Sequence, residues 1–462
     1  MRKVVCVQGL GFVGAAMATA IALAKDQKGE PIYQVFGVDL ENNNGISRVN
    51  SINEGKFPFE TTDHELEKAL KNVNLRGNLT ATTNSEVYAQ ADIVIVDVHL
   101  DIPFRDNEPK LEFDAFKEAL GIVANNIRAE ALVIIETTVP PGTCEKIIVP
   151  LFSKIFNERG IDPSRLLLAH SYERVMPGKE YLNSIINFWR VFSGYTEKAA
   201  DLCEEFLSSV INVRDFPLTR LGSTTASETA KVLENTYRTI NIAFINEWSR
   251  FAEEVGIDLF EVISAIQNRP THANIRFPGL GIGGYCLTKD PTFAPAAARE
   301  LFGLSIDFPF SRLAISQSAK MPLHAVKKLK DALDDNLSDR KILLCGVSYR
   351  QDVADTRFSP SEILYRSLTD EGAKVDTHDP LVRWWDELKF AVPSELPPFE
   401  NYDAVVFAVP HSQYQSLDLT QYLVKLKKTY FLDAFMVFSS TKRNAFREKG
   451  INIQAIGAGD LV

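Results

Sequence analysis

The feature that most constrains the fold is a glycine pattern near the N-terminus, Gly9-x-Gly11-x-x-Gly14. It lies between an apolar run at 3–8 and an alanine-rich segment with helical spacing, and "YQVFGVD" at 33–39 has the composition of a second strand. In such a βαβ unit the first glycine permits a tight turn and the second lets the backbone approach a pyrophosphate. The third allows the helix to pack closely on the strand. The sequence therefore predicts a dinucleotide-binding Rossmann unit.

The choice of dinucleotide follows from the end of the second predicted strand, where Asp39 stands. A carboxylate at this place accepts hydrogen bonds from a ribose diol and repels a 2′-phosphate. No basic residue directly follows in "DLENNN", so we expect NAD rather than NADP. The expected cofactor-binding residues are Gly9, Gly11, Phe12, Val13, Gly14 and Asp39.

The sequence pattern predicts three regions along the 462-residue chain. Apolar strands at 91–98 and 131–138 alternate with a helical segment, as in a doubly wound parallel sheet. Residues 224–255 keep helical spacing without proline and predict one long helix, and a second βαβ pattern begins at 341–349. The fold class is therefore α/β, with two Rossmann-like doubly wound domains joined by a central helical domain. The expected boundaries are 1–210, 211–335 and 336–462.

Composition excludes several classes of function. Lys plus Arg is 50 and Asp plus Glu is 60, and the resulting net charge of −10 argues against nucleic acid as a partner. The five cysteines are scattered without a CxxC pair, which disfavours a disulfide framework and a zinc site. The sequence has no signal-peptide pattern and no apolar run near the roughly 18 residues of a membrane span. We expect a cytoplasmic protein without bound metal.

One cysteine stands apart, in "GIGGYCLTKDP" at 281–291. The pattern predicts a helix beginning after Cys286, with Asp290 as N-cap, Pro291 as its first residue and Lys289 nearby. A helix N-terminus and a cation both favour thiolate over thiol. Beside an NAD domain, such a thiolate suggests aldehyde oxidation through a thiohemiacetal and a thioester. The plainer alternative is a tight turn beside a small buried residue.

Six segments, taken in order, resemble the nucleotide-sugar dehydrogenases of the UDP-glucose/GDP-mannose dehydrogenase family. They are "GLGFVG" (9–14), "ETTVPPGT" (136–143), "YERVMPGK" (172–179), "AKVLENTYRTINIAFINE" (230–247), "PGLGIGGYCLTKDP" (278–291) and "GVSYRQDVADTRFSP" (346–360). The resemblance implies oxidation of a sugar C6 alcohol to a carboxylate with two NAD and no metal. It also implies a UDP-sugar bound by the C-terminal domain, catalysis and dimerisation in the central domain, and a homodimer or larger assembly.

Matched residue by residue, the resemblance implies the catalytic set. Cys286 would be the nucleophile, and Lys231 and Asn235 would stabilise the developing oxyanion. The i, i+4 spacing of these two residues puts both on one helix face. Glu173 would position or activate the water that hydrolyses the thioester.

Two further residues would organise water and proton transfer near C6, namely Thr138, also a cofactor contact, and Asp290. The first general base is left open between Lys231 and a water held by Asp290. The residues expected to bind the sugar nucleotide are Arg174, Lys179, Gly283, Arg276, Arg350 and Arg357. Arg269 and His272 compete with Arg276 for the place of a family arginine that reaches the partner subunit's substrate.

Two segments bear on the sugar. "ERVMPGK" at 173–179 resembles the branch that acts on UDP-N-acetylhexosamines, of the UDP-N-acetylmannosamine type. The lysine of "CLTKDP" is more usual in the UDP-glucose branch. We expect a UDP-N-acetylhexosamine, with UDP-glucose as the alternative. The sequence also leaves open a two-electron hydroxyacid dehydrogenase and a non-catalytic nucleotide-sugar-binding protein.

Overall fold

The computed structural model describes residues 2–100, 102–105, 108–175, 178–422 and 429–459. The chain forms two compact units, Met1–Glu234 with Thr292–Asp307 and Asn235–Pro291 with Phe308–Val462. The three domain boundaries expected from the sequence stay a prediction.

The helices and strands alternate along most of the chain. The helices are α1 Phe12–Leu23, α2 Asn43–Asn53, α3 His64–Arg76, α4 Asp114–Asn126, α5 Val149–Glu158, α6 Tyr181–Ile186, α7 Glu197–Val210, α8 Thr224–Val255, α9 Leu259–Gln267, α10 Tyr285–Lys289, α11 Phe293–Glu300, α12 Pro309–Ala332, α13 Pro360–Asp370, α14 Ser412–Gln415 and α15 Ser440–Glu448. The strands are β1 Lys3–Gln8, β2 Tyr33–Val38, β3 Leu79–Thr82, β4 Ile93–Val96, β5 Phe104–Arg105, β6 Glu108–Pro109, β7 Leu132–Ile135, β8 Leu167–His170, β9 Val191–Gly194, β10 Thr219–Arg220, β11 Lys341–Cys345, β12 Lys374–His378, β13 Trp384–Trp385, β14 Phe390–Ala391, β15 Ala404–Phe407, β16 Tyr430–Asp433 and β17 Ile453–Ala455.

The first unit is built on an eight-stranded sheet with the order β10-β9-β8-β7-β4-β1-β2-β3. All neighbours are parallel except β8 and β9. Alternate residues of β1 enter two separate hydrophobic cores, Val5 and Val7 on one side and Cys6 on the other. Both faces of the sheet are therefore buried, which explains the near-continuous apolar strands.

The strand order of this sheet reverses between β1 and β4, where Gln8 pairs with Val96. The carboxyl ends of both strands consequently lie at one edge, which is where open α/β sheets bind ligands. Gly9 follows one strand and Asp97 the other.

The second unit contains a five-stranded parallel sheet with the order β12-β11-β15-β16-β17. Its strands are also buried on both faces, since Leu344 enters one hydrophobic core and Leu343 another. Here the order reverses between β11 and β15, where Cys345 pairs with Phe407.

The long helix α8 begins and ends at the predicted residues, and Gly256 follows it with a φ of +77°. Helix α13 begins with Pro360 after the N-cap Ser359, and proline is common at the first position of a helix. The predicted α/β class, with Rossmann-type regions near both ends and helices between them, is confirmed. Among the described residues no helix combines the length and the apolar character needed to cross a bilayer.

Candidate active site

The glycine loop of the first unit has the geometry of a diphosphate cradle. Gly9 has a φ of +90°, and a Cβ there would lie 2.6 Å from the carbonyl oxygen of Asp97. A Cβ on Gly14 would lie 1.9 Å from the carbonyl oxygen of Gly9, so helix and loop meet too closely for any side chain. Gly11 is the N-cap of α1 and supplies no side-chain cap to the helix. The first turn of α1 therefore keeps backbone N–H groups for an anion.

Phe12 and Val13 begin α1, so their backbone N–H groups belong to this first turn. The Phe12 ring stacks on Phe59 at 4.1 Å between centroids. Tyr181 donates its hydroxyl hydrogen to the carbonyl oxygen of Phe12. These contacts fix the start of the helix in the first unit.

Asp39 follows β2, and both oxygens of its carboxylate already accept hydrogen bonds. Its Oδ2 accepts from the Leu10 N–H at 3.2 Å, and its Oδ1 accepts from the Leu40 N–H at 2.8 Å. Arg48 on α2 pairs with Oδ2 at 3.2 Å. Sequence reasoning missed this arginine, because it is nine residues beyond Asp39 and only the fold brings it back.

A second carboxyl cluster lies at the same edge of the sheet. Asp97 after β4 faces Glu136 after β7, and Glu136 forms an ion pair with Arg190 inside the protein. Burial, then the charge of Glu136 and a hydrogen bond with it, raise the pKa of Asp97 well above its usual range. Thr138 is half-buried in the segment after β7. Only the fold joins these residues, and the sequence carried no signal for the cluster.

Lys231 and Glu173 are in direct contact within the first unit. The Lys231 Nζ donates to the Glu173 carbonyl oxygen at 2.8 Å and lies 3.6 Å from its Oε1. The lysine is buried and lies 5.3 Å from the centroid of the Tyr172 ring. The ammonium is thus held in one place by a carbonyl and a carboxylate.

The two basic residues near Glu173 differ in their surroundings. Arg174 forms an ion pair with Glu234 at 3.0 Å and donates to the Trp189 carbonyl oxygen at 2.9 Å. Its guanidinium therefore has partners inside the first unit. Lys179 is exposed.

In the second unit, the residue expected to be the nucleophile is the second of the five-residue helix α10. Cys286 is exposed, whereas the other four cysteines are buried. Burial raises the pKa of those thiols, to about 12 for Cys6 and well above the usual range for Cys144 and Cys345. Exposure and position in a first helical turn make Cys286 the chemically accessible thiol.

The expectation that Asp290 caps a helix beginning at Pro291 is wrong. Asp290 ends α10 as its C-cap and opens a 3₁₀ turn, and Thr292 is the N-cap of α11. The helix that carries the thiol begins instead at Tyr285, after the N-cap Gly284, whose φ of +86° favours glycine.

Asp290 is fully buried and holds two donors within the second unit. Asn235 Nδ2 donates to its Oδ2 at 2.6 Å, and Lys289 Nζ donates to its Oδ1 at 2.8 Å. The Lys289 ammonium also lies 4.5 Å from the Tyr285 ring centroid. The lysine thus neutralises Asp290, and the expected direct help to the Cys286 thiolate stays a prediction.

Two arginines of this unit, Arg238 and Arg357, interact electrostatically with the thiol. Loss of hydration, then the charges of Arg276 and Arg350, lower the pKa of Arg238, which also interacts with Cys286. This crowding of positive charge, with net repulsion among the guanidiniums, suits an anionic ligand. Arg238 was missed because an arginine on an amphipathic helix is ordinarily a solvated one.

Arg357 belongs to the same surroundings. Burial alone would lower its pKa, but hydrogen bonds and the charge of Asp355 raise it. The pair is 2.7 Å apart, and the guanidinium lies 5.4 Å from the Tyr285 ring. Arg276, Arg269 and His272, which compete for the place of the family arginine, are all exposed, and of the three Arg276 has a described interaction with Arg238.

Known proteins share this organisation. The chain matches the sequence models for the UDP-glucose/GDP-mannose dehydrogenase family in its NAD binding domain (3–211), central domain (225–312) and UDP binding domain (343–440). It is 31% identical over 99% of its length to all of a UDP-N-acetyl-D-mannosamine dehydrogenase of Pyrococcus horikoshii. An enzyme of the same name from Methanocaldococcus jannaschii is 29% identical, over 99% of this chain and 97% of that one.

A solved structure of this kind of enzyme also resembles the chain. The UDP-D-ManNAc dehydrogenase from Pyrococcus horikoshii superposes with a TM-score of 0.82 at 28% identity, over 99% of this chain and 100% of that chain.

Proposed function

Because the chain belongs to the UDP-glucose/GDP-mannose dehydrogenase family, we propose that it oxidises the C6 alcohol of a UDP-N-acetylhexosamine to the carboxylate. The observation that carries this proposal is one exposed cysteine, Cys286, among arginines in the unit that includes the UDP binding domain. A two-electron hydroxyacid dehydrogenase has no use for such a thiol. A purely binding protein would not need the intact set of Cys286, Lys231, Asn235 and Glu173 that the family motifs assign to catalysis.

NAD is the cofactor of the N-terminal domain. Its diphosphate fits the first turn of α1 and the cradle of Gly9, Gly11 and Gly14, and its adenosine ribose fits Asp39. It supplies a hydride acceptor for each of two oxidations.

The thiol of Cys286 acts between the two oxidations. Its thiolate adds to the C6 aldehyde, a C–S bond forms, and the carbonyl π electrons move to oxygen as an oxyanion. Lys231 and Asn235, one turn apart on α8, donate to that oxyanion by the roles that the family motifs assign. The proton released from the original C6 hydroxyl goes to a water held by Asp290, or to Lys231 starting as the neutral amine, which then donates to the oxyanion as an ammonium.

The second oxidation turns the thiohemiacetal into a thioester, which water must open. Glu173 positions the water and takes its proton, and the Cys286 thiolate leaves as the carboxylate forms. The Lys231 ammonium beside Glu173 keeps that carboxylate in place. Thr138 and Asp290 organise the remaining water.

The identity of the sugar is supported by two observations. Relatives that match nearly the whole chain are named UDP-N-acetyl-D-mannosamine dehydrogenases. The "CLTKDP" lysine, which favours UDP-glucose as the alternative, has an internal task here, because Lys289 neutralises Asp290. Because Lys289 neutralises Asp290, its presence does not favour a substrate with a hydroxyl over a substrate with an acetamido group.

The test is NADH production from UDP-ManNAc, UDP-GlcNAc, UDP-GalNAc and UDP-glucose, compared side by side as kcat/KM. We expect one of the N-acetylhexosamine nucleotides to exceed UDP-glucose by at least about tenfold. An acetamido partner left unpaired by a plain hydroxyl forfeits roughly 1–3 kcal/mol. A higher kcat/KM for UDP-glucose would contradict the proposal.

A further inference from the structure

We propose that His411 is a positioning residue for sugar-nucleotide binding, because it holds the loop of residues 347–352 against the segment 278–291 around Cys286, here called the cysteine loop. The inference rests on the proposed function only in taking Arg350, within this loop, as a substrate contact. The hydrogen bonds of His411 lie within the second unit and do not depend on the substrate.

The residues involved meet at the edge of the second sheet. The loop 347–352 follows β11, His411 follows β15, and Asp379 follows β12, so all three extend from the carboxyl ends of neighbouring parallel strands. This edge, at the reversal of strand order between β11 and β15, is where such sheets bind ligands. A buried histidine here lies behind the ligand-binding edge.

The hydrogen bonds of His411 fix its tautomer. The backbone N–H of Asp352 donates to Nδ1 at 3.0 Å, so Nδ1 carries no proton. The proton is then on Nε2, which lies 3.2 Å from Asp379 Oδ2 and 3.1 Å from Ser348 Oγ. The Ser348 hydroxyl donates to the Arg350 carbonyl oxygen at 2.9 Å, so its oxygen accepts from the imidazole. The neutral ring thus joins both ends of the loop.

Asp379 and Ser412 complete this clamp. Asp379 Oδ2 also accepts from the N–H groups of Val347 and Ser348 at 2.9 and 3.3 Å. Ser412 donates its N–H to the Asp352 carboxylate at 3.0 Å. Asp352 has a φ of +54°, an unfavourable value for a residue with a side chain. Such a conformation persists where surrounding bonds over-determine it.

The clamped loop in turn packs on the loop of the nucleophile. A Cβ on Gly284 would lie 2.6 Å from the Tyr349 ring, and one on Gly283 would lie 2.9 Å from the Tyr349 Cβ. Glycine at these positions therefore permits the two loops to touch. The absence of a side chain at Gly283, expected from the sequence to serve substrate, is also required by Tyr349.

The same loop contains Arg350, which belongs to the group of arginines linked to Cys286 by electrostatic interactions. Arg350 interacts with Arg238, and both Arg238 and Tyr349 interact with Cys286. A shift of the 347–352 loop would move Arg350 and the surface on which the cysteine loop rests. His411 thus acts on the site through other residues and touches neither the thiol nor an arginine side chain in the described contacts.

The test compares His411→Ala and His411→Asn with His378→Asn in the full-length protein. His378 is a second buried histidine of this unit, and its described side-chain hydrogen bonds go to Tyr414 Oη at 2.7 Å and the Ser394 carbonyl oxygen at 3.1 Å. The His378→Asn variant therefore controls for effects that follow from losing any buried imidazole. Asparagine at 411 retains an acceptor for the Asp352 N–H, so it should restore part of what alanine loses.

Two readouts are measured, the dissociation constant for UDP by calorimetry and the rate of Cys286 alkylation by iodoacetamide, followed by peptide mass spectrometry. His411→Ala should weaken UDP binding by about tenfold or more and change the alkylation rate severalfold. His411→Asn should fall between alanine and wild type, and His378→Asn should match wild type in both readouts.

Equal effects of His411→Ala and His378→Asn at equal loss of stability would overturn the proposal, as would unchanged alkylation in both variants at position 411. If wild type fails to bind UDP while His411→Ala still changes alkylation, the proposed substrate class and the role in sugar-nucleotide binding fail, and only the role of His411 in holding the two loops together stands. If His411→Ala does not fold, the comparison of His411→Asn with His378→Asn decides by the same criteria.

Discussion

The Nζ of Lys231 donates a 2.8 Å hydrogen bond to the backbone carbonyl of Glu173, and the carboxylate of Glu173 lies 3.6 Å from the same nitrogen. One buried ammonium thus fixes the residue proposed to activate water. Glu173 Oε2 also accepts from the Val175 N–H, which limits the rotation of the carboxylate. This arrangement ties the last chemical step to a residue that can be changed without removing the nucleophile.

Glu173→Gln should slow thioester hydrolysis by roughly 10²–10⁴-fold, because an amide cannot take a proton from water. The preceding oxidations should persist, so the variant should release a burst of NADH and then stall with an acyl group on Cys286. Stopped-flow fluorescence and intact-protein mass spectrometry measure the burst and the adduct. Glu180→Gln, at an exposed glutamate seven residues further along the chain, should leave turnover near wild type. A slow first turnover without adduct would assign Glu173 to another step.

Cofactor choice should depend on the Asp39–Arg48 pair. Asp39→Ser removes the ribose acceptor and the repulsion of a 2′-phosphate, and it releases Arg48 from its 3.2 Å ion pair. We expect affinity for NAD to fall roughly tenfold and affinity for NADP to rise, measured by fluorescence titration. Asp39→Ser with Arg48→Ala should lose the gain for NADP. An equal NADP affinity in both variants would show that Arg48 does not reach the phosphate.

Two buried groups of the first unit should give opposite pH dependences of stability. Burial, and then the charge of Lys231, lower the pKa of His170 from 6.5 to about 3. The unfolded chain therefore takes up a proton that the folded chain does not, and this contribution is full above pH 6.5 and lost as pH falls toward 3. Burial raises the pKa of Glu228 from 4.5 to about 7, so its contribution is full below pH 4.5 and lost as pH rises through 7.

The contributions of His170 and Glu228 to the pH dependence of stability have opposite signs and offset each other between pH 4.5 and 6.5. Relative to wild type, His170→Asn should therefore gain stability as pH falls through this window, and Glu228→Gln should lose it. The slope difference per group is at most about 1.4 kcal/mol per pH unit. Urea unfolding at several pH values measures both slopes, and the same slope in the two variants would refute the assignment.

Assembly should depend on an aromatic stripe on α8. Tyr237, Phe244, Trp248, Phe251 and Val255 follow helical spacing and are all exposed in the chain. Trp248 contacts both Phe244 and Phe251 edge to face, at 6.3 and 5.7 Å between centroids. A continuous apolar face of this kind needs cover, and we propose a second copy of the chain.

Light scattering should give twice the chain mass of 51.6 kDa for wild type. Trp248→Glu should weaken the dimer by about a hundredfold, because a charge would replace an apolar anchor. Leu75→Glu, at another exposed apolar residue, should leave the dimer intact. A wild-type monomer at micromolar concentration would contradict the proposal.

Local patterns predicted the elements well, because they depend on periodicity and on single special residues. The bounds of α8 follow from apolar spacing and Gly256, and the Rossmann class follows from Gly9, Gly11 and Gly14. The start of α10 was missed. Its five residues are too few for a periodic signal, and Asp290 resembles an N-cap although it is used by Asn235.

Relationships across the fold were beyond the sequence for a different reason. Arg48 meets Asp39 because helix α2 brings it back to the end of β2. His411 meets Ser348 and Asp379 through the order of parallel strands. No local spacing encodes which strand ends become neighbours. The resemblance to a family named candidate residues such as Lys231, but their hydrogen-bond partners came from the structure.

The nucleophile itself is tested by Cys286→Ser. Serine adds poorly to an aldehyde and would leave an ester that hydrolyses slowly, so acid formation should fall by about 10³-fold or more. NAD affinity should stay unchanged, because Cys286 belongs to the second unit and the glycine cradle to the first. Cys203→Ser, at a buried cysteine, is the matched control. Near-normal acid formation by Cys286→Ser would make the cysteine a structural residue.

The central claim is that one carbon loses four electrons on this protein before product leaves. The most direct measurement is the number of NADH formed per UDP-sugar consumed, with product identified by mass spectrometry. The account predicts two NADH per sugar and a uronic acid as the product. One NADH per sugar, with an aldehyde or ketone as product, would contradict it.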